Sequence, residues 1–217
     1  MIPLKLSGVT RVLCLGAHGD DIEIGCGGTI LRLIESAPKT EFYWMVLSSD
    51  STRAEEAELS ARAFLEGARA KTIVVKSFRD GFLPYIGMPV KECFEELKNI
   101  FSPDVIFTHF RHDLHQDHRF VCELTWNTFR NHLILEYEIP KYDADLSSPN
   151  FFVPLSESIC RRKVQSLMRH FGTQRDKQWF SEDLFRGLMR LRGSEGASPT
   201  DYAEAFHCRK VVLDCES

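Results

Sequence analysis

The feature that most constrains this chain is a repeated switch of hydrophobic period along its first half. Short apolar runs at residues 11–17, 41–48, 71–76 and 104–108 read as strands buried on both faces. Between them lie segments with helical spacing: 29–35 after Cys26-Gly27-Gly28, a stretch to residue 66 capped by Ser51 or Thr52, then 90–101 and 117–131. Pro38, Gly67 and the Gly/Pro-rich residues 80–89 punctuate the series. Alternation of this kind builds βαβ units. The expected fold is therefore α/β, a Rossmann-like, mostly parallel sheet with helices on both faces. Such a sheet binds ligands beyond the carboxyl ends of its strands. The residues just after 17 and 108 are where function is expected.

The second half is less regular. Residues 133–139 read as a strand, 142–154 as a loop, and 157–171 and 177–191 as helices. Residues 210–214 read as a last strand. Residues 193–200 are rich in Gly, Ser and Pro and are expected to be mobile, a candidate lid over a site. Phe151, Phe152 and Trp179 read as core rather than as a substrate pocket. With no repeat or linker, 217 residues make one domain, 1–217: a Rossmann-like core at 1–132 and a less regular, substrate-side extension at 133–217.

A formal net charge of -4 argues against a nucleic-acid partner, which draws a basic excess. No stretch has the length to span a bilayer, and Arg11 interrupts the only early apolar run, so neither a transmembrane segment nor a signal peptide is expected. The seven cysteines are an odd number, lie partly inside apolar runs and include no C-x-x-C pair. They are read as reduced, small hydrophobic residues of a cytoplasmic protein, and a thiolate zinc site is not expected.

Two segments carry chemistry. The first is Ala17-His18-Gly19-Asp20-Asp21-Ile22-Glu23, followed by Gly25-Cys26-Gly27-Gly28. In a tight turn after a strand, His18 and Asp21 can converge on one ion, with Asp20 close by. Adjacent carboxylates at a strand end need a cation or hydrogen bonds to offset them. Taken alone, the segment equally fits a helix N-cap with acidic first-turn residues. The second runs from Thr108 to Arg119 and holds four of the eight histidines, at positions 109, 112, 115 and 118. On one helix, three-residue steps would drift across about 180°. A loop is therefore expected, with the helix starting near Asp117. Three protein ligands and one open position suit catalytic zinc, and His18, Asp21 and one histidine of the second segment would supply them. His115 can stabilise an oxyanion and protonate a leaving amine, oriented by Asp117.

At these residues the chain resembles the LmbE-like, or PIG-L, de-N-acetylase family. The family's A-H-P-D-D-x-E segment with trailing glycines stands here as A-H-G-D-D-I-E-I-G-C-G-G, and its H-P-D-H as H-Q-D-H. Weaker echoes are Thr52-Arg53-Ala54-Glu55-Glu56, Asp80-Gly81-Phe82-Leu83 and Tyr202-Ala203-Glu204-Ala205-Phe206. The resemblance implies a zinc-dependent hydrolase that removes an acetyl or related acyl group from the nitrogen of an amino sugar. An alternative is an amidase acting on a sugar-thiol or other amide conjugate. It implies His18, Asp21 and His118 as ligands of one Zn2+ per chain, other divalent metals being compatible. Asp20 would be the general base, and His115, with Asp117 as partner, the oxyanion stabiliser and acid. Arg53 would contact the sugar, unless it only pairs with Glu56, and Asp80 and Tyr202 would line the pocket. The partner implied is a small N-acetylated sugar conjugate, and a homo-oligomer is compatible with the family. Gly19 and Gln116 replace prolines, which loosens the backbone without changing a chemical group. His109 and His112 match no role. A nucleotide-binding Rossmann protein is the rival reading, but Gly25 to Gly28 lacks G-x-G-x-x-G spacing. A non-catalytic zinc scaffold would need neither Asp20 nor His115.

Overall fold

The structure is a computed structural model that describes residues 3–6 and 8–212. Five strands alternate with helices: β1 (Arg11–Gly16), α1 (Asp21–Ser36), β2 (Glu41–Ser48), α2 (Ser51–Phe64), β3 (Ala70–Phe78), α3 (Gly87–Ile100), β4 (Val105–His109), α4 (Gln116–Thr128) and β5 (Leu133–Tyr137). After these come β6 (Phe151–Leu155), α5 (Glu157–His170), α6 (Glu182–Glu195) and β7 (Tyr202–Cys208). All seven strands form one sheet, in the order β3-β2-β1-β4-β5-β7-β6. The first five are parallel, and β7 is antiparallel to both β5 and β6. The sheet is thus mixed and mostly parallel, within a single domain.

The period-2 alternation of β1 divides the core. Val12 and Cys14 join one apolar cluster with α1, α2 and α5, while Leu13 and Leu15 join another with α3 and α4. Chirality explains the two faces. The chain steps from β1 outward to β3, then returns across the sheet to β4 and β5. Right-handed crossovers in opposite directions put their helices on opposite faces. The reversal leaves a crevice between the carboxyl ends of neighbouring β1 and β4.

Helix α1 starts at Asp21, well before the expected residue 29, so the glycines lie inside it. A Cβ on Gly25 would meet the Tyr137 ring at 2.2 Å, and one on Gly27 would meet Phe64 at 2.6 Å. These glycines let α1 approach β5 and α2 closely. They form no phosphate-cradling loop, which removes the physical basis of the nucleotide-binding reading. The C-terminal elements are clasped to the same helix. Lys163 Nζ lies 2.6 Å from both Glu204 Oε1 and the Ile24 carbonyl, and Glu204 accepts the N–H groups of Gly28 and Thr29. Removing one partner of a buried pair like this typically destabilises by about 3–5 kcal/mol.

Several expectations are corrected. The N-cap of α2 is Asp50, whose side chain accepts the Arg53 N–H, rather than Ser51 or Thr52. Residues 151–155, expected in a loop, form β6. Its Pro154 is tolerated because β6 is an edge strand. The last strand is β7, not 210–214: residues 210–212 carry no strand, and 213 and 214 lie outside the described residues. The helix expected at 177–191 begins at Glu182, where Ser181 accepts the Leu184 N–H. Residues 193–200, the candidate lid, are not among the residues lining the pocket beyond β1 and β4. Gly193 packs against the Asp201 backbone and Gly196 against the Phe152 ring. Among the described residues, no helix is long and apolar enough to cross a membrane.

Candidate active site

The crevice between β1 and β4 gathers both histidine-bearing segments. His18 and Asp20 lie in the turn after β1, and Asp21 opens α1. His109 ends β4, while Asp117 and His118 lie in the first turn of α4. The turn after β1 is tight: the His18 N–H donates to Asp21 Oδ2 at 2.6 Å. Gly19 in that turn packs on α2, where a Cβ would sit 3.3 Å from Ala57 Cβ. A glycine there lets the turn lie close against α2.

His18, Asp21 and His118 converge on one point. His18 Nδ1 is 3.2 Å from His118 Nε2 and 3.3 Å from Asp21 Oδ2, and His118 Nε2 is 3.4 Å from Asp21 Oδ1. Ligand bonds of about 2.0–2.1 Å arranged as a tetrahedron have edges of about 3.3–3.4 Å. The hydrogen bonds behind the rings fix their protons. His118 Nδ1 faces Asp113 Oδ2 at 2.9 Å, and His18 Nε2 faces Asp80 Oδ1 at 3.1 Å and Asp117 Oδ2 at 3.3 Å. With protons on those outer nitrogens, Nδ1 of His18 and Nε2 of His118 turn lone pairs toward each other and toward a carboxylate. Such a donor set is repulsive without a cation and fits a metal ion. The same demand for positive charge shows in the titration of the rings. Burial opposes protonation of His18 and His118, yet Asp21 and the hydrogen-bonded carboxylates outweigh it and raise both pKa values.

Two residues that the sequence left without an assigned role stand directly behind this cluster. His109, fully buried, stacks on His118 with centroids 3.9 Å apart; its Nε2 accepts the Ala17 N–H at 3.0 Å and lies 3.1 Å from Asp21 Oδ2. Burial and the neighbouring His118 hold its pKa down at about 4, so it is neutral. It could have been found as the last residue of a strand at the switch point. Asp113 orients His118, as above; its signal was only its place in the loop. His112 is exposed.

On the open side, Asp20 is buried. Its pKa is raised, first by burial and then by the charge of Asp21, against the opposing pull of Arg53 and His18. His115 is the N-cap of α4: its Nδ1 accepts the Asp117 backbone N–H at 3.3 Å, leaving Nε2 to carry the proton of the neutral ring. Burial, then the charges of His118 and His18, lower its pKa. The expected Asp117–His115 contact thus runs through the backbone. The Asp117 carboxylate is turned away instead, accepting the N–H groups of Gly81 and Leu83 and approaching His18. Arg53 does not pair with Glu56. Its guanidinium holds Asp80 at 2.8 Å and lies 3.8 Å from Asp20. Hydrogen bonding to His18, helped by Arg53, keeps the Asp80 carboxyl well below its usual range.

His18, Asp20, Asp21, Arg53, Asp80, His115 and His118 line an open pocket of about 300 Å³, whose outer side is lined by Lys141, Tyr142, Asp143, Gln174, Lys177 and Trp179. Tyr202 is not among its walls. It pairs with Leu155 in the sheet, and its hydroxyl accepts from Arg186. Trp179, read from the sequence as core, is half-buried and faces the pocket.

A doubly wound α/β domain with two imidazoles and a carboxylate converging at its switch point, flanked by a second carboxylate and a third imidazole, has the layout of a metal-dependent amide hydrolase. A family model described as PIG-L, GlcNAc-PI de-N-acetylase, matches residues 13–129, and the chain belongs to this family of hydrolytic N-deacetylases. Solved structures share the whole fold. The conserved protein TT1542 from Thermus thermophilus superposes with a TM-score of 0.75 at 20% identity, covering 94% of this chain and 96% of that one. The N,N'-diacetylchitobiose deacetylase from Pyrococcus horikoshii gives 0.69 at 22% identity, covering 93% and 84%. The 4-carboxy-2-hydroxymuconate hydratase GalB from Pseudomonas putida KT2440 gives 0.72 at 15%, covering 96% and 99%. At these identities the likeness is one of architecture, and the hydratase illustrates that this architecture hosts more than one chemistry.

Proposed function

We propose that the chain removes an acetyl or closely related acyl group from the nitrogen of an amino sugar, such as an N-acetylglucosamine conjugate, with zinc as its metal. The observation that carries this reading is the triangle of lone-pair donors from His18, Asp21 and His118, with Asp20 and His115 beside it. Zinc held by those three residues would lower the pKa of a water toward 7 and polarise the acyl carbonyl.

The chain's own residues supply the rest. Asp20, its pKa raised toward the working range of a base, takes the proton of the attacking water. His115 is neutral and its Nε2–H is free of the backbone, so it donates a hydrogen bond to the developing oxyanion, while the proton that Asp20 took from the water passes to the leaving amine. The Asp117 N–H selects that tautomer. Arg53 and Asp80, already bonded to each other beside the metal ligands, offer a donor and an acceptor to sugar hydroxyls. Tyr142 and Trp179 offer the apolar surfaces on which a sugar ring packs.

The test is acetate release from a panel of N-acetylglucosamine conjugates by zinc-loaded protein, with Asp20→Asn as control. Release from at least one conjugate is expected, and the substitution should lower turnover by about 10²–10⁴-fold, the worth of a general base. Zinc bound at one per chain with no release from any conjugate would overturn the amino-sugar assignment and direct the search to other amides.

A further inference from the structure

Asp113 holds three groups at once, one of them the His115 backbone N–H, which donates to its Oδ1 at 2.8 Å. Its Oδ2 takes the His118 Nδ1–H at 2.9 Å, and its Oδ1 lies 3.0 Å from Lys141 Nζ. All three side chains are nearly enclosed, Lys141 at 9% exposure and the other two at 3%. A buried carboxylate whose other partners are an imidazole and one backbone N–H has no fixed positive charge to balance it. An ammonium on its second oxygen offsets the desolvation and fixes the carboxylate plane. Lys141 is itself anchored. Its Nζ lies 2.5 Å from Asp145 Oδ2 and 3.6 Å from Asp143 Oδ2, and Asp145 also accepts the Leu114 N–H at 2.7 Å. Between those two aspartates, Ala144 has φ of 53°, a left-handed conformation that a residue with a Cβ seldom adopts. A strained turn of this kind persists only where its surroundings over-determine it.

We propose that Lys141 is a positioning residue of the metal centre: through Asp113 it fixes the orientation and tautomer of His118, so that Nε2 presents its lone pair to the ion. The inference rests on the metal reading of the site. Asp113 and His118 lie in the stretch that matches the family, whereas Lys141 lies beyond it. This support is therefore built by the outer wall of the pocket, where Lys141 stands beside Tyr142 and Asp143. The wall that meets substrate and the residue that meets the metal form one bonded unit.

The experiment measures metal affinity of the full chain by competition with a chromophoric chelator, and the visible absorption spectrum of the Co2+-loaded protein, which reports ligand geometry. Lys141→Met is expected to weaken affinity by about 10–100-fold, as changes behind a metal-bound imidazole typically do, and to alter the cobalt bands. Lys141→Arg, which keeps the cation, restores both. Asp113→Asn weakens affinity similarly, and adding Lys141→Met to it weakens affinity no further, because the lysine acts through the aspartate. The double variant removes both charges of the Asp113–Lys141 contact and leaves Asp145 the Leu114 N–H, so it decides the question if Lys141→Met alone folds poorly. Unchanged affinity and spectrum in Lys141→Met, or additive losses in the double variant, would overturn the proposal. A parent protein that takes up no metal would overturn the metal reading itself, and this inference with it.

Discussion

Residues 11–137 and residues 139–208 reach the same pocket by different routes. In the first stretch, side chains arrive at the ends of adjacent parallel strands, so a rigid sheet sets their spacing. His18 follows β1 and His109 ends the neighbouring β4, and the first turns of α1 and α4 bring Asp21 and His118 between them. In the second stretch, side chains arrive one at a time on loops: Lys141 and Tyr142 between β5 and β6, Gln174 and Trp179 between α5 and α6. The difference teaches a division of labour. Geometry that must hold to a few tenths of an ångström sits on the sheet, and the surfaces that select a substrate sit on connections that can vary without disturbing it. Lys141 is the exception that joins the two.

The largest effect is expected where the sheet sets the geometry. Asp21→Ala removes the carboxylate common to two edges of the ligand triangle. Metal affinity should fall by more than the roughly 10–100-fold typical of an outer change, and hydrolysis should vanish with it. Metal content after dialysis, measured beside activity, checks this. Loss of metal with hydrolysis preserved would break the assignment of the inner region.

A smaller and different effect is expected on the outer wall. Trp179→Ala removes an apolar face worth about 0.5–1.5 kcal/mol, so KM for the preferred conjugate should rise about 2–10-fold. The turnover number should stay near that of the parent. A fall in turnover at unchanged KM would place Trp179 among the groups that act on the transition state, and the division between the two regions would fail.

The same division governs what was legible in the sequence. His18 and Asp21 were readable as candidate ligands because they sit three residues apart, so one short turn must bring them together, whereas His118 was singled out among four histidines only by the family resemblance. The parallel order followed from apolar runs that only a sheet covered on both faces can bury. Asp113 and Lys141 were not readable, because their contact joins loops 28 residues apart and no local spacing announces it. Strand β7 was hidden because Tyr-Ala-Glu-Ala-Phe carries helix formers. Only its pairing between β5 and β6, and the Lys163 that meets Glu204, make it a strand. The early start of α1 was hidden because three glycines look like a break until Tyr137 and Phe64 are seen against them.

Glu23 tests whether a place in the motif implies a part in the chemistry. It follows Asp20 and Asp21, yet it is fully buried, and neither its carboxylate oxygens nor the neighbouring Ser60 hydroxyl makes a hydrogen bond of good geometry. Burial pushes its carboxyl well above the usual range, and the Ser60 hydroxyl offsets only part of that. In the unfolded chain a glutamate loses its proton near its ordinary value, about 4.3, while the folded chain keeps it to higher pH. Between those two values the folded state binds more protons than the unfolded one, so this residue makes stability fall as pH rises. Glu23→Gln keeps the shape and carries no titrating proton. The difference in Tm, variant minus parent, should therefore become more positive from pH 5 to pH 8, with turnover unchanged. A difference that stays flat with pH would mean that Glu23 is ionised in the fold. A loss of turnover at unchanged stability would move it into the site, and the inner region would then contain a working carboxylate that the metal triangle does not explain.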